Sequence, residues 1–325
     1  MPKPGFIARE AAGTLHCMCA MPQCIQACRH IPARARFLKR FLRRFEMAYI
    51  NTRLRSEVLQ HAVEVDLYFP SDYPEDVVSE IRGVITLLHG FGGTSKDWMQ
   101  MSAACRYAAD NGLIIVAPDC SNGFYSDMAY GDAWYTYMTQ ELPLLLGKIF
   151  RLPSEREKNF IAGLSMGGYG AMMLGMNNPK RYSGIASFSG AVDIAQMFNA
   201  FGSIAEWRKS FVPIFGENLE IKESQDLYAL SEKISALPAS EQPKLLLTCG
   251  SDDVEPYLIL PQNRALNKHL KNLSLNSYRY MEWSGNHEWK FWDRSLVYAI
   301  DFFLSPGYAD EKLSDWRSEA RTISS

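Results

Sequence analysis

Apolar and polar positions alternate from residue 63 to 69, with Val63, Val65, Leu67 and Phe69 against Glu64, Asp66 and Tyr68. A period of two predicts an amphipathic, edge-type strand. Residues 84–88 (Val-Ile-Thr-Leu-Leu) are instead nearly all apolar, the pattern of a strand buried on both faces. Similar short runs at 113–116, 159–162, 184–188, 245–249 and 277–283 predict further strands. Between them lie helical patterns at 99–109, 134–150 (despite Pro143), 169–176, 258–273 and 289–304. Strands alternating with helices imply an α/β protein, with a mostly parallel central sheet and helices on both faces. Residues 191–238 break the rhythm, with Phe198, Phe201, Trp207, Phe211 and Phe215 scattered among polar residues. They are expected to form a small insertion over the sheet.

Length and composition permit one large α/β domain or two small ones, with a substantial core and no need of disulfides. The formal net charge is −2, which argues against a nucleic-acid partner. It conceals an asymmetry, because residues 1–46 carry nine Lys/Arg and two Glu, a net of +7, leaving −9 for the rest. Four of the seven cysteines, Cys17, Cys19, Cys24 and Cys28, fall in that first stretch without a zinc-site spacing. Arg36 to Phe45 forms a basic amphipathic pattern suited to a membrane surface or to targeting. Met47 reads as a natural start, so the favoured reading is an extension outside the fold. No clean leader peptide and no run of transmembrane length is present, so a cytoplasmic protein without stable membrane insertion is expected.

The chemistry centres on Gly163-Leu164-Ser165-Met166-Gly167-Gly168, between the strand at 159–162 and the helix at 169–176. G-x-S-x-G in that setting is a nucleophile elbow, where a sharp turn throws the serine out of the strand. Glycines on either side remove the clashes such a turn would create. The Met166 amide then lies at a helix N-terminus, which favours an anion.

Active sites of open parallel sheets form beyond the carboxyl ends of the strands. Three further strand ends are chemically loaded: His89-Gly90-Phe91-Gly92-Gly93, Gly250-Ser251-Asp252-Asp253 and Ser284-Gly285-Asn286-His287. Of six histidines, His287 alone follows a late strand on a glycine-containing loop, which makes it the candidate base. His89 is expected to shape backbone, and His269 to lie on a solvated surface. Asp252 or Asp253 would orient the base by accepting its Nδ1–H. Phe91 is placed to offer its backbone N–H, with that of Met166, to an oxyanion, and Gly92 lets the loop approach the substrate.

With these residues the chain resembles the esterase D-like serine esterases of the α/β-hydrolase fold, closest to bacterial tributyrin and short-chain acyl esterases and related acetyl- and feruloyl-esterases. The likeness spans about residues 47–305. It includes Leu87-Leu88-His89-Gly90 with Trp98, Phe124-Tyr125-Ser126-Asp127-Met128 with Tyr130-Gly131, and Glu141-Leu142-Pro143. It also includes Gly163 to Ala171, and His287-Glu288-Trp289 with Phe291-Trp292-Asp293. The resemblance selects Asp253 as the acid and Phe91 as oxyanion donor, and implies a Ser165, Asp253, His287 triad. It implies hydrolysis of short-chain acyl esters, of acetyl, butyryl or acylated-sugar type, through an acyl-enzyme, with no cofactor and no metal. Phe124, Tyr125, Tyr130 and Trp289 are expected to supply rings near the substrate. Family members acting on S-formylglutathione usually carry histidine where this chain has Leu164 and Tyr169, so that substrate is less expected. A feruloyl or acetyl-xylan esterase, an acyltransferase and a non-catalytic binding protein are the competing readings. The expected division is an extension at 1–46, a catalytic domain at 47–305 containing the insertion, and a tail at 306–325, with the aromatic insertion a candidate interface between copies.

Overall fold

The computed structural model describes residues 48–70 and 81–314; the expected extension at 1–46, most of the turn at 70–76 and the chain after 314 lie outside them. Eight strands form one sheet: β1 (Ala48–Arg55), β2 (Ala62–Phe69), β3 (Gly83–Leu88), β4 (Leu113–Pro118), β5 (Asn159–Leu164), β6 (Gly184–Phe188), β7 (Lys244–Gly250) and β8 (Tyr278–Trp283). Their order is β1-β2-β4-β3-β5-β6-β7-β8. The β1–β2 and β2–β4 pairs are antiparallel and all others parallel. This is the α/β-hydrolase architecture.

Alternate residues of the central strands feed two cores. On one face, Val84, Ile114, Val116, Ile161, Ile185 and Leu245 pack with the helices Leu142–Phe150, Met166–Asn177 and Ile259–Lys271. On the other, Ile85, Ile115, Phe160, Ala186 and Leu246 pack with Ala104–Asn111 and Trp289–Phe303. Burial on both faces explains why these strands read as unbroken apolar runs. The helix Met166–Asn177 is buried from Met166 to Met176, as its apolar composition on all sides requires.

Several expectations are corrected. The strand at 62–69 is not at the edge, because β1, which was not foreseen, pairs with it along its whole length. Only Leu54 of β1 is buried, so its apolar signal is weak. Asp66 and Tyr68, on the polar side of β2, are fully buried. The helix expected at 99–109 is two, Asp97–Met101 and Ala104–Asn111. Ser102 Oγ donates to the Trp98 carbonyl, and Asp293 Oδ1 accepts from the Ala103 amide at 2.7 Å, which starts the second helix afresh. The segment 134–150 includes a π-turn, Tyr137–Glu141, followed by an α-helix, Leu142–Phe150, whose second residue is Pro143. The wider turn makes room for a ring that would clash with the carbonyl four residues back in an unbroken α-helix.

The insertion folds as three helices, Ile194–Phe201, Ala205–Phe215 and Leu227–Ser235. The second contains Pro213, and the loop facing its C-terminal end satisfies that end, with the amides of Ala129 and Tyr130 donating to the carbonyls of Ile214 and Pro213. The region after 305 is not simply a tail. A short helix, Tyr308–Lys312, buries Tyr308 and Ala309, and Tyr308 Oη donates to Asp110 at 3.0 Å.

Candidate active site

β3 and β5 are neighbours, while β3 also pairs with β4 on its other side. Strand order reverses there, and the loops after β3 and β5 open into a common crevice. Ser165 occupies the turn after β5 with φ 53° and ψ −120°. A side chain at Gly163 would come within 2.3 Å of the Gly167 carbonyl, and one at Gly167 within 2.4 Å of the Leu88 carbonyl. Glycine at both positions lets strand, helix and oxyanion loop touch.

The Ser165 turn is pinned by backbone. Its amide donates to the Phe188 carbonyl, and its carbonyl accepts from Gly168, Tyr169 and Ala191. His287, after β8, places Nε2 at 2.9 Å from Ser165 Oγ and Nδ1 at 2.9 Å from Asp253 Oδ2. Asp253 is buried and His287 partly so. The structure therefore brings Ser165, His287 and Asp253 into one chain of hydrogen bonds. Asp252 faces away and accepts from Ser284 Oγ at 3.0 Å and the Gly285 amide at 3.1 Å, bracing the loop that carries His287. The His287 ring is flanked by Trp292 at 5.0 Å and Tyr257 at 5.4 Å between centroids.

The loop after β3 is held from below. Trp98 Nε1 donates to the Leu88 carbonyl, and Tyr125 Oη to the His89 carbonyl at 2.9 Å. His89 is buried, accepts the Cys120 amide on Nε2 and lies 2.8 Å from the Gly90 carbonyl through Nδ1. Burial pushes its pKa down, outweighing the Gly90 hydrogen bond and the nearby Asp119 carboxylate. A neutral, Nδ1-protonated ring satisfies both contacts, so His89 shapes backbone. Among the described residues the N–H groups of Phe91 and Met166 have no hydrogen-bond partner. The Gly92 amide, by contrast, is used at 2.6 Å by Asn122 Oδ1.

A cleft of about 260 Å³ opens at Ser165, with His287 and Met166 in its wall. Of the rings expected there, Phe124 lines it and the other three do not. Tyr125 is fully buried, its ring covering Gly170 and its hydroxyl on the oxyanion loop. Tyr130 is 64% exposed on the loop that docks against Pro213. Trp289 packs between Trp98 and Trp292, 5.3 and 5.4 Å away. Gly92 also lies outside the lining, in the left-handed region at φ 75°. The walls not foreseen include Met197 and Trp207 from the insertion, Tyr257 from the loop after β7, and Trp292. The aromatic run of the insertion was the available signal for Trp207, and the three-residue spacing from Trp289 for Trp292. His269 is not a freely solvated surface residue, since its ring packs edge-on against Tyr228 at 5.0 Å. Among the described residues no group of three or more His, Cys, Asp and Glu side chains is arranged to hold a metal ion. No helix among them is long and apolar enough to cross a membrane.

The family described as "Putative esterase" matches residues 56–303. An acetyl esterase of Caldicellulosiruptor saccharolyticus is 30% identical over 270 residues, covering 79% of this chain and 98% of the relative. Among solved structures, the substrate-bound fluorophosphonate-binding serine hydrolase FphF of Staphylococcus aureus superposes with a TM-score of 0.67 at 25% identity. The S-formylglutathione hydrolase FrmB of the same organism, without ligand, gives 0.66 at 27%. Each likeness covers 79% of this chain and 98% of the other.

Proposed function

The chain belongs to the esterase family, and on that premise we propose that it is a serine carboxylesterase that cleaves esters of short acyl chains through an acyl-enzyme on Ser165. The reading rests on one observation: two 2.9 Å hydrogen bonds linking Ser165, His287 and Asp253 at a small apolar cleft. In the proposed reaction, His287 Nε2 takes the hydroxyl proton as Ser165 Oγ bonds to the ester carbon. The carbonyl oxygen becomes an oxyanion facing the N–H groups of Phe91 and Met166. One such donor is typically worth about 3 kcal/mol in the transition state. Collapse breaks the bond to the alcohol oxygen, which takes the proton from His287. Water then repeats the sequence and releases the acid. Asp253 keeps His287 in the productive tautomer and stabilises the imidazolium.

The preference for short chains is supported by volume. About 260 Å³ falls below the roughly 300–1,000 Å³ of sites for drug-sized ligands. Met197, Trp207 and Phe124 further restrict it. The acetyl esterase likeness points the same way. A second reading, S-formylglutathione hydrolysis, is favoured by the likeness to FrmB. Where histidine would be expected for it, Tyr169 is instead buried, with its hydroxyl on the Gln225 carbonyl. A panel of p-nitrophenyl esters from acetyl to decanoyl, with S-formylglutathione alongside, tests the choice. A maximum kcat/KM at acetyl to butyryl supports the proposal, whereas a dominant S-formylglutathione activity would replace it.

A further inference from the structure

Gln262 lies in the helix Ile259–Lys271, is fully buried, and is not part of the cleft lining. Its side-chain amide joins two segments that are distant in the chain. Oε1 accepts from the Asp193 amide at 3.1 Å, and Nε2 donates to the Tyr257 carbonyl at 3.0 Å. Each end of that bridge leads to a wall of the catalytic cleft. Asp193 caps the insertion helix Ile194–Phe201 by accepting from the Gln196 amide at 2.9 Å, and that helix carries Met197 into the cleft. Tyr257 presents its own ring to the cleft, 5.9 Å from Trp207 and 5.4 Å from His287 between centroids. Leu258, the next residue, sits in the left-handed region at φ 55°, so the turn that aims Tyr257 is not one its sequence prefers. The Gln262 amide closes that turn from the helix side.

The two partners are of opposite kind, a backbone N–H and a backbone carbonyl. A primary amide meets both at once, whereas a carboxylate only accepts and an ammonium only donates. A buried amide with both partners in place rigidifies what it joins, and one left unpaired is costly. We infer that Gln262 is a positioning residue for acyl-chain selectivity: it sets the spacing between the Met197 and Tyr257 walls, and so the length of acyl chain the cleft admits. The inference rests on the esterase reading of Ser165 and deepens it, since it assigns the length limit to a side chain that does not meet the substrate. Asn263, beside it and also fully buried, has a different task. Its Nδ2 donates to the Gly190 carbonyl at 2.8 Å and the Ile259 carbonyl at 2.9 Å, bracing the loop whose Ala191 amide donates to the Ser165 carbonyl. That neighbour supplies a control, because cutting its bonds loosens the same helix and leaves the bridge between the walls in place.

The test measures kcat/KM of the full chain on p-nitrophenyl acetate and p-nitrophenyl octanoate. Both esters use the same triad and the same leaving group, so their ratio reports the acyl cleft. Gln262→Met keeps the length of the side chain and removes both bonds. It should raise the octanoate-to-acetate ratio about tenfold by relieving overpacking, with acetate turnover within a few-fold of wild type. Gln262→Glu, which keeps the acceptor for the Asp193 amide, should raise the ratio less, and serves alone if the methionine variant does not fold. Asn263→Leu should leave the ratio unchanged, whatever it costs in rate or melting temperature. In a Met197→Ala, Tyr257→Ala background the wall side chains are already gone, so the Gln262 change should have no further effect on the ratio, the non-additivity of coupled sites. A ratio unmoved by the Gln262 variants, an equal shift in Asn263→Leu, or a full Gln262 effect in the double-alanine background overturns the assignment. Failure of the esterase reading is seen separately, as absence of wild-type turnover on p-nitrophenyl acetate, and takes this inference with it.

Discussion

Asp252 and Asp253 are adjacent in the chain, yet their carboxylates serve different partners: Asp253 accepts from His287 Nδ1 at 2.9 Å, and Asp252 binds Ser284 Oγ and the Gly285 amide of the loop that carries His287. One orients the ring and the other supports its backbone. Asp253→Asn is therefore expected to lower kcat roughly 10⁴-fold by losing the productive tautomer. Asp252→Asn should keep most activity and lower stability by about 1–2 kcal/mol through weakened loop hydrogen bonds. Rates and urea unfolding of both variants check this, and a severe Asp252 variant beside a near-normal Asp253 variant would reverse the assignment.

Chain-length selectivity should be controlled by Trp207. Each added methylene gains about 0.8 kcal/mol while space remains, and overpacking costs typically about 1–3 kcal/mol. Specificity should therefore rise over the first few carbons and then fall. Trp207→Ala should move the optimum to longer acyl chains and leave acetyl turnover within a few-fold. An unchanged optimum would place the acyl chain elsewhere.

His89 offers a pH prediction that separates stability from catalysis. Burial lowers its pKa in the folded state below the ordinary value of 6.5. As pH falls through that value the unfolded chain takes up a proton that the folded chain refuses. Stability from this group is complete above about pH 6.5 and is lost progressively below it, down to the folded-state pKa. Urea unfolding between pH 7.5 and 5 should show a smaller acid loss for His89→Gln than for the wild type. Parallel curves would mean that His89 is not held neutral.

Much of this arrangement is legible in sequence, because the elements concerned are dictated locally. The central strands are buried on both faces, and the Ser165 turn is written in its flanking glycines. What is not legible depends on distant contacts. β1 buries only Leu54, so pairing with β2 and not hydrophobicity defines it. Phe124 and Tyr125 both have positive φ, 50° and 56°, and this double left-handed turn separates two neighbouring rings, one into the cleft and one beneath the oxyanion loop. The choice between the two aspartates follows from how the loops after β7 and β8 abut, where a side chain at Gly250 would lie 2.2 Å from the Gly285 carbonyl. Tyr257 reaches the cleft through tertiary packing that its local sequence does not encode.

The central claim is that Ser165 is acylated. Intact-mass analysis after rapid acid quench with p-nitrophenyl acetate, followed by peptide mapping, tests it directly. The account predicts one acetyl adduct on the peptide containing Ser165, and in Ser165→Ala no adduct, with turnover reduced on the order of 10³-fold or more and an unchanged melting temperature. An adduct on another residue, or full turnover by Ser165→Ala, would contradict it.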